Sequence, residues 1–400
     1  MLMFRGRSTL SVLPIFVLLC GLVVLAQQSQ APAPRPQAAS GPLRDRIQTY
    51  LDEWRASSTF PGVAVGVVLK DGTAIGVVSG VSDRAAAKPM TVDDRMLAGS
   101  TGKTFFAAVA LQLIEHGTLD LDAPISKYLG SRPWFARLPN AKDITVRHLM
   151  THTSGLVRYE LNPKFTADLR ASPDKVWQPE EEIAYLLDTP APFAAGQGWD
   201  YSDTNYIVLG VVMESITGTK MYDEIGRRFL QPLKLTGVVP STSRRIPRLI
   251  PGYAGPRDAA GFPDEVIVKG ELVVNPQFEW AGGGFATTAL DLARWGHELY
   301  MGRALSAAAR KLMIDSAVPA RLGPDSKYGL GVIVRPSTPV GPTWGHSGYF
   351  PGYQTELLFV ADLGVTLALQ MNTSAPRSTG SRSLQRALLD IAAMTKPAMP

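Results

Sequence analysis

Strand-like segments lie at both ends of this chain and helix-like segments lie between them. That order narrows the fold more than any other feature. Near the start, "GVAVGVVLKDGTAIGVVSG" is two β-rich runs joined at Lys70-Asp71-Gly72, the pattern of a hairpin with Asp-Gly at its turn. Strand character returns late, in "YGLGVIVRP", "GPTWGHSGYF", "YQTELLFVAD" and "GVTLALQMN". The clearest helices between them are "EEEIAYLLDT", "TNYIVLGVVMESITG" and "ALDLARWGHELYMG", the last two ending at glycine. A helix with Leu43, Ile47, Leu51 and Trp54 at helical spacing opens the fold, and "RSLQRALLDIAAM" closes it. Segregated strands and helices argue against a doubly wound parallel sheet. The expected class is α+β: an antiparallel sheet built from both termini and flanked by helices, with an inserted mostly helical domain. The sheet part is expected at 43–105 and 275–397, and the helical part at 106–274.

The first residues read as a processing segment. Arg5 and Arg7 precede an apolar run from Val12 to Ala26, ending in the small-residue pattern of a signal peptidase site. Cleavage is therefore expected near Ala26, with export to the periplasm or beyond; a retained membrane anchor is the alternative. Residues 27–42 are Pro/Ala/Gln-rich and read as a flexible linker. Cys20, the single cysteine, falls within the signal segment, so no disulfide and no Cys-based metal site is expected in the mature chain. Removing Arg5 and Arg7 leaves 38 basic against 35 acidic residues, too weak a bias to suggest nucleic acid.

The stretch "LAGSTGKTFFA" poses the main chemical question. Gly102-Lys103-Thr104 resembles the end of a phosphate-binding loop, but the glycine that such a loop requires five positions earlier is Leu97. Read from Ser100, the same letters are Ser-x-x-Lys. Helix character begins near Ser100 and closes at Gly117, and residues i and i+3 share a face, so Lys103 can reach the Ser100 hydroxyl. A helix start also offers free N–H groups to a developing oxyanion and favours a neutral Lys103 able to take a proton.

Two further stretches join it: "WDYSDTNYIVLG" with Tyr201 and Asp203, and "WGHSGYFPGY" with His346, Ser347 and Gly348. In this order, and with "RHLMTHTSGL" and "AGGGFATTALDLARW" in support, the chain resembles the serine β-lactamase and penicillin-binding protein superfamily. The likeness is to the branch of class C β-lactamases, D-alanyl-D-alanine carboxypeptidases and family VIII esterases, over residues 44–395. It implies that Ser100 forms an acyl-enzyme and that Lys103 and Tyr201 share its proton. It implies an oxyanion hole from the backbone N–H groups of Ser100 and Tyr349. It also implies that His346, Ser347 and Gly348 line the strand edge along which substrate lies, with Asp203 contacting substrate too. No cofactor and no metal is expected. The expected partner is a small-molecule ester, a β-lactam or a peptidoglycan peptide, and the chain is expected to act as a monomer. A non-hydrolytic penicillin-binding or peptidoglycan-sensing protein is the alternative.

Other hydrolase chemistries fit poorly. Gly345-His346-Ser347 begins a nucleophile elbow, but Tyr349 stands where G-x-S-x-G needs glycine. Among His116, His148, His152, His297 and His346, only His148 and His152 are spaced i, i+4, and they lack the adjacent Glu of a zinc hydrolase. His152 is expected to order a loop and His148 to face out. Two departures from the branch bear on substrate. His-Ser-Gly replaces the Lys-Thr-Gly of its β-lactamases, removing a fixed charge, and Asp203 stands where most relatives carry Asn. An ionised Asp can only accept hydrogen bonds, so an amide-bearing substrate loses a donor there. Small esters or peptides are expected to be favoured over β-lactams, and simple esters, which lack that amide, over D-Ala peptides.

Overall fold

The structure, a computed structural model, describes residues 41–396 except 257, 259 and 260. The expected signal segment and nearly all of the linker lie outside the described residues. Helix α1 (Pro42–Ala56) starts with proline in its first turn and buries Ile47, Leu51 and Trp54. Strands β1 (Gly62–Val68) and β2 (Ala74–Asp83) form the hairpin, with Gly72 N–H donating to Leu69 O at the turn.

From the other end of the sequence come β3 (Ile333–Arg335), β4 (Thr343–Phe350), β5 (Tyr353–Val360) and β6 (Val365–Met371). β1 pairs antiparallel with β6, with Val63 opposite Met371 and Val67 opposite Leu367. The two ends of the chain thus build one antiparallel sheet, ordered β2-β1-β6-β5-β4-β3 and extended at its rims by two-residue strands. The expected α+β class with an antiparallel sheet from both termini is the class observed.

Alternation along the strands sorts the side chains into two layers. Val63, Val65, Val67, Leu358 and Leu367 pack under α1 and the closing helix Leu384–Met394. Ala64, Val68, Leu357 and Ala368 face the larger core on the opposite side. There α2 (Lys103–Glu115) and α3 (Thr204–Thr217) are buried on nearly every face, as expected for helices apolar all round. Ala289–Tyr300 lies across β1 and β6.

Three local expectations need correction. "YGLGVIVRP" is not one strand: it breaks at Gly331 (φ 80°), whose N–H donates to Met150 O, and β3 begins only at Ile333. "EEEIAYLLDT" is a single turn of α-helix, Pro179–Ile183, followed by a 3-10 turn that ends at extended Leu187. His148 does not face out. It is half-buried, and its Nδ1 accepts the Thr145 N–H while Thr145 Oγ1 accepts the His148 N–H, a reciprocal cap on Val146–Met150.

Candidate active site

Ser100 lies not in α2 itself but in the 3-10 turn Gly99–Gly102 that feeds it. A short strand, Met96–Leu97, paired to Phe285–Thr287, delivers this turn beneath the free end of β4. Approach is close enough to require glycine on both sides. Gly99 has φ 51°, and a Cβ on it would sit 2.6 Å from the Tyr349 amide nitrogen. A Cβ on Gly348 would sit 1.9 Å from Ala98 O. The Tyr349 amide nitrogen therefore lies beside Gly99, the residue that precedes Ser100. At the start of its turn, the Ser100 N–H has no intrahelical acceptor.

Lys103 is fully buried because α2 is. Its ammonium meets three acceptors: Ser100 Oγ at 3.0 Å, Gly282 O at 2.6 Å, and Asp203 Oδ1 in a direct ion pair. Three acceptors match the three N–H groups of an ammonium. The segment Pro276–Gly282, kinked at Trp280 (φ 29°), supplies the Gly282 carbonyl. Ser100 Oγ in turn donates to Asp203 Oδ1 at 3.3 Å.

Asp203 occupies the N-cap position of α3 but makes no capping hydrogen bond. Its Oδ2 accepts from Arg158 Nη2 at 3.1 Å. Burial alone would raise its carboxyl. The Lys103 charge, a hydrogen bond from Glu160 and the Arg158 guanidinium outweigh burial and hold it well below the usual carboxylate range. Glu160 accepts from Arg158 Nε at 2.5 Å; its own carboxyl is pushed up by burial and by the Asp203 charge, which favours the neutral acid.

Tyr201 packs at a tilt against His152, 4.2 Å between ring centroids, and Lys103 Nζ lies 5.0 Å from its ring centre. Its hydroxyl is buried in the same site, close enough to Ser100 for the serine hydroxyl to act on its titration. Burial, then the Asp203 charge, pushes the phenol well above its ordinary value. His152 has φ 60° and takes the Ser202 N–H at 3.3 Å on Nδ1, the loop-ordering position anticipated for it.

His346 is buried. Its Nδ1 contacts Ser347 O at 2.6 Å, so that nitrogen must donate, and Nε2 then accepts from Tyr328 OH at 2.8 Å. Burial, followed by the Lys103 charge, pushes the imidazole down to about 3, so it is neutral at physiological pH. Both ring nitrogens are thus committed within the protein. Ser347 and Gly348 are partly exposed at the strand edge, and Tyr349 is exposed.

Two cavities meet at Ser100. One, about 220 Å³, runs past Arg158 and Glu279 to the aromatic rings of Phe165, Phe278 and Phe350. The other, about 600 Å³, follows the β4 edge past Tyr201, His346, Ser347 and Arg335. Among the described residues there is no cluster of metal-ligating side chains, and no helix is long and apolar enough to cross a membrane.

Arg158, Glu160 and Glu279 were missed in the sequence. The only available signal was Arg-x-Glu at Arg158-Tyr159-Glu160, immediately beyond "HTSGLV". Glu279 carries a thermodynamic consequence. Burial, then the Asp203 charge, raises its carboxyl from 4.5 to about 8. The folded state then holds a proton that the unfolded chain has released. That contribution to stability is complete below about pH 4.5 and lost as pH rises through about 8. Glu279→Gln should leave Tm unchanged at pH 5 and raise it above wild type at pH 8.5, measured by calorimetry. Parallel Tm–pH curves for the two proteins would contradict this.

Residues 43–391 match the family model described as Beta-lactamase. The chain is 33% identical over 200 residues to esterase EstB of Burkholderia gladioli, covering 48% of this chain and 50% of the esterase. It is 27% identical over 365 residues to penicillin-binding protein 4 of Amycolatopsis lactamdurans, covering 88% and 91%. The D-amino acid amidase of Ochrobactrum anthropi SV3, solved with D-phenylalanine, superposes with a TM-score of 0.74 at 26% identity, covering 89% of this chain and 100% of that one. Against EstB and two penicillin-binding proteins of Bacillus subtilis, the chain spans only 50 to 64% of the relative's length.

Proposed function

The chain belongs to the beta-lactamase family, and from that premise we propose that it is a serine hydrolase working through an acyl-enzyme on Ser100. The observation that carries the reading is the position of Ser100 Oγ, within hydrogen-bond distance of both Lys103 Nζ and Asp203 Oδ1 where two cavities meet.

The proton balance follows from those contacts. The resting pair is an ammonium and a carboxylate. Transfer of one proton from Lys103 to Asp203 leaves a neutral amine whose lone pair can take the Ser100 proton as Oγ bonds to the substrate carbonyl. The carbonyl oxygen becomes an oxyanion facing the amides of Ser100 and Tyr349. When the tetrahedral species collapses, the bond to the leaving group breaks and the proton held by Asp203 passes to that group, with the Tyr201 hydroxyl beside the path. The pair is then again ammonium and carboxylate. Water repeats the sequence to release the acid and restore Ser100.

Small esters are the proposed preference over β-lactams and D-Ala peptides. Asp203 is ionised and already accepts from Lys103 and Arg158, so it offers no N–H to an amide carbonyl of the substrate. Leaving that carbonyl unpaired costs ~1–3 kcal/mol when buried. Asp203→Asn should therefore raise kcat/KM for nitrocefin relative to p-nitrophenyl acetate, by roughly fivefold for the low end of that cost. An unchanged ratio would remove Asp203 from the account of substrate choice.

The function itself is tested by incubating the protein with p-nitrophenyl esters, nitrocefin and a D-Ala-D-Ala peptide and following product over many turnovers. Stoichiometric acylation without turnover would instead support the penicillin-binding or sensing alternative. Export is proposed as well. Protein recovered from the periplasm should begin near Gln27, and recovery of the full-length chain only in membranes would mean the apolar run is retained.

A further inference from the structure

We propose that the cavity bounded by Arg158 is an anion subsite, selecting acyl groups that carry a carboxylate on the side of Ser100 away from Ser347. The proposal rests on the serine hydrolase reading and adds the substrate class.

Among the described residues, Arg158 is the one cation that borders both cavities beside Ser100. Its Nε is taken by Glu160 Oε1 and its Nη2 by Asp203 Oδ2. Those two contacts fix the guanidinium in place, which leaves little rotamer entropy to lose when a ligand binds. Nη1 makes no hydrogen bond among the described residues and is not enclosed, and 35% of the side chain is exposed. A preset pair of N–H donors therefore opens into the cavity.

The charges nearby decide which ligand suits it. Lys103 and Arg158 are positive, and Asp203 is the single ionised acid between them. Burial and the Asp203 charge keep Glu160 and Glu279 on the neutral side, and His346 is neutral. Lys103 and Arg158 thus share the Asp203 carboxylate, and these shifts favour a net positive site. Glu160 Oε2 and Glu279 Oε2 are fully enclosed, so neither is offered to a cationic ligand. Beyond Arg158 the wall is aromatic, with Phe165, Phe278 and Phe350, and suits a flat ring. A carboxylate on such an acyl group would complete the guanidinium's hydrogen bonding and neutralise the site.

Three p-nitrophenyl esters of matched shape test this: 4-methylbenzoate, the monoester of terephthalate, and 4-(aminomethyl)benzoate. At low ionic strength kcat/KM should be about tenfold higher for the anionic ester than for the neutral one, the scale of one charge-assisted hydrogen bond. The cationic ester should be slowest. Salt should narrow the spread. Arg158→Gln should bring the anionic-to-neutral ratio to about one, while Arg158→Lys, which keeps the charge, should retain part of the preference. The ratio is the readout, because it is insensitive to any general loss from disturbing Asp203. Equal rates, preference for the cationic ester, or an anionic preference that persists in Arg158→Gln would overturn the subsite. Hydrolysis that survives Ser100→Ala would instead overturn the serine hydrolase reading, and the subsite with it.

Discussion

Ser100→Ala is expected to lower ester hydrolysis by at least ~10³-fold, as removal of other catalytic nucleophiles does. The physical basis is local. Alanine deletes only Oγ, in a 3-10 turn whose close contacts are made by backbone and by Gly99, not by the serine side chain. The turn, the two amides and the Lys103–Asp203 pair should all remain. Lys103 loses one of three acceptors and Asp203 one of its donors, neither of them charged. Thermal stability should therefore stay close to wild type. That combination separates chemistry from folding: activity gone, Tm retained. A variant with more than a tenth of wild-type kcat would mean that bond cleavage does not pass through Ser100.

Lys103→Met should be costly in two distinct ways. The first is catalytic. Without the amine, no other nitrogen base contacts Ser100 Oγ among the described residues, and loss of a general base commonly costs ~10²–10⁴-fold. The second is structural. Methionine fills the same volume but leaves Gly282 O unpaired and removes one of the cations that hold the Asp203 carboxylate. Breaking a buried ion pair from one side costs about 3–5 kcal/mol, here reduced because Arg158 still pairs with Asp203. Adding Asp203→Asn to Lys103→Met should recover much of the lost stability, since no anion is then left to compensate, yet recover none of the activity. Chemical denaturation and ester assays on the single and double variants resolve the two effects. Restored hydrolysis in the double variant would mean that Lys103 acts only by neutralising Asp203.

The site was legible in the sequence wherever its chemistry is written at short spacing. Ser100 and Lys103 are three residues apart, Tyr201 and Asp203 two apart, and His346 to Gly348 consecutive, so each pattern survives without knowledge of the fold. The class of fold was legible for a similar reason: hydrophobic runs of β type at both ends leave one economical sheet, and β1 does pair with β6. What escaped is what folding alone brings together. Arg158 meets Asp203 across 45 residues, and Gly282 O meets Lys103 across 179. Asp203 stands where α3 begins, yet it caps nothing and its carboxylate turns inward to two cations. His148 was misplaced because nothing in "RHLMTH" shows that its Nδ1 would accept the Thr145 amide.

The central claim, that Ser100 is the nucleophile, is tested most directly by intact-mass spectrometry after reaction with a fluorophosphonate, followed by peptide mapping. The account predicts a single adduct, located on Ser100 and absent from Ser100→Ala. An adduct on another residue, or the same adduct in Ser100→Ala, would contradict it.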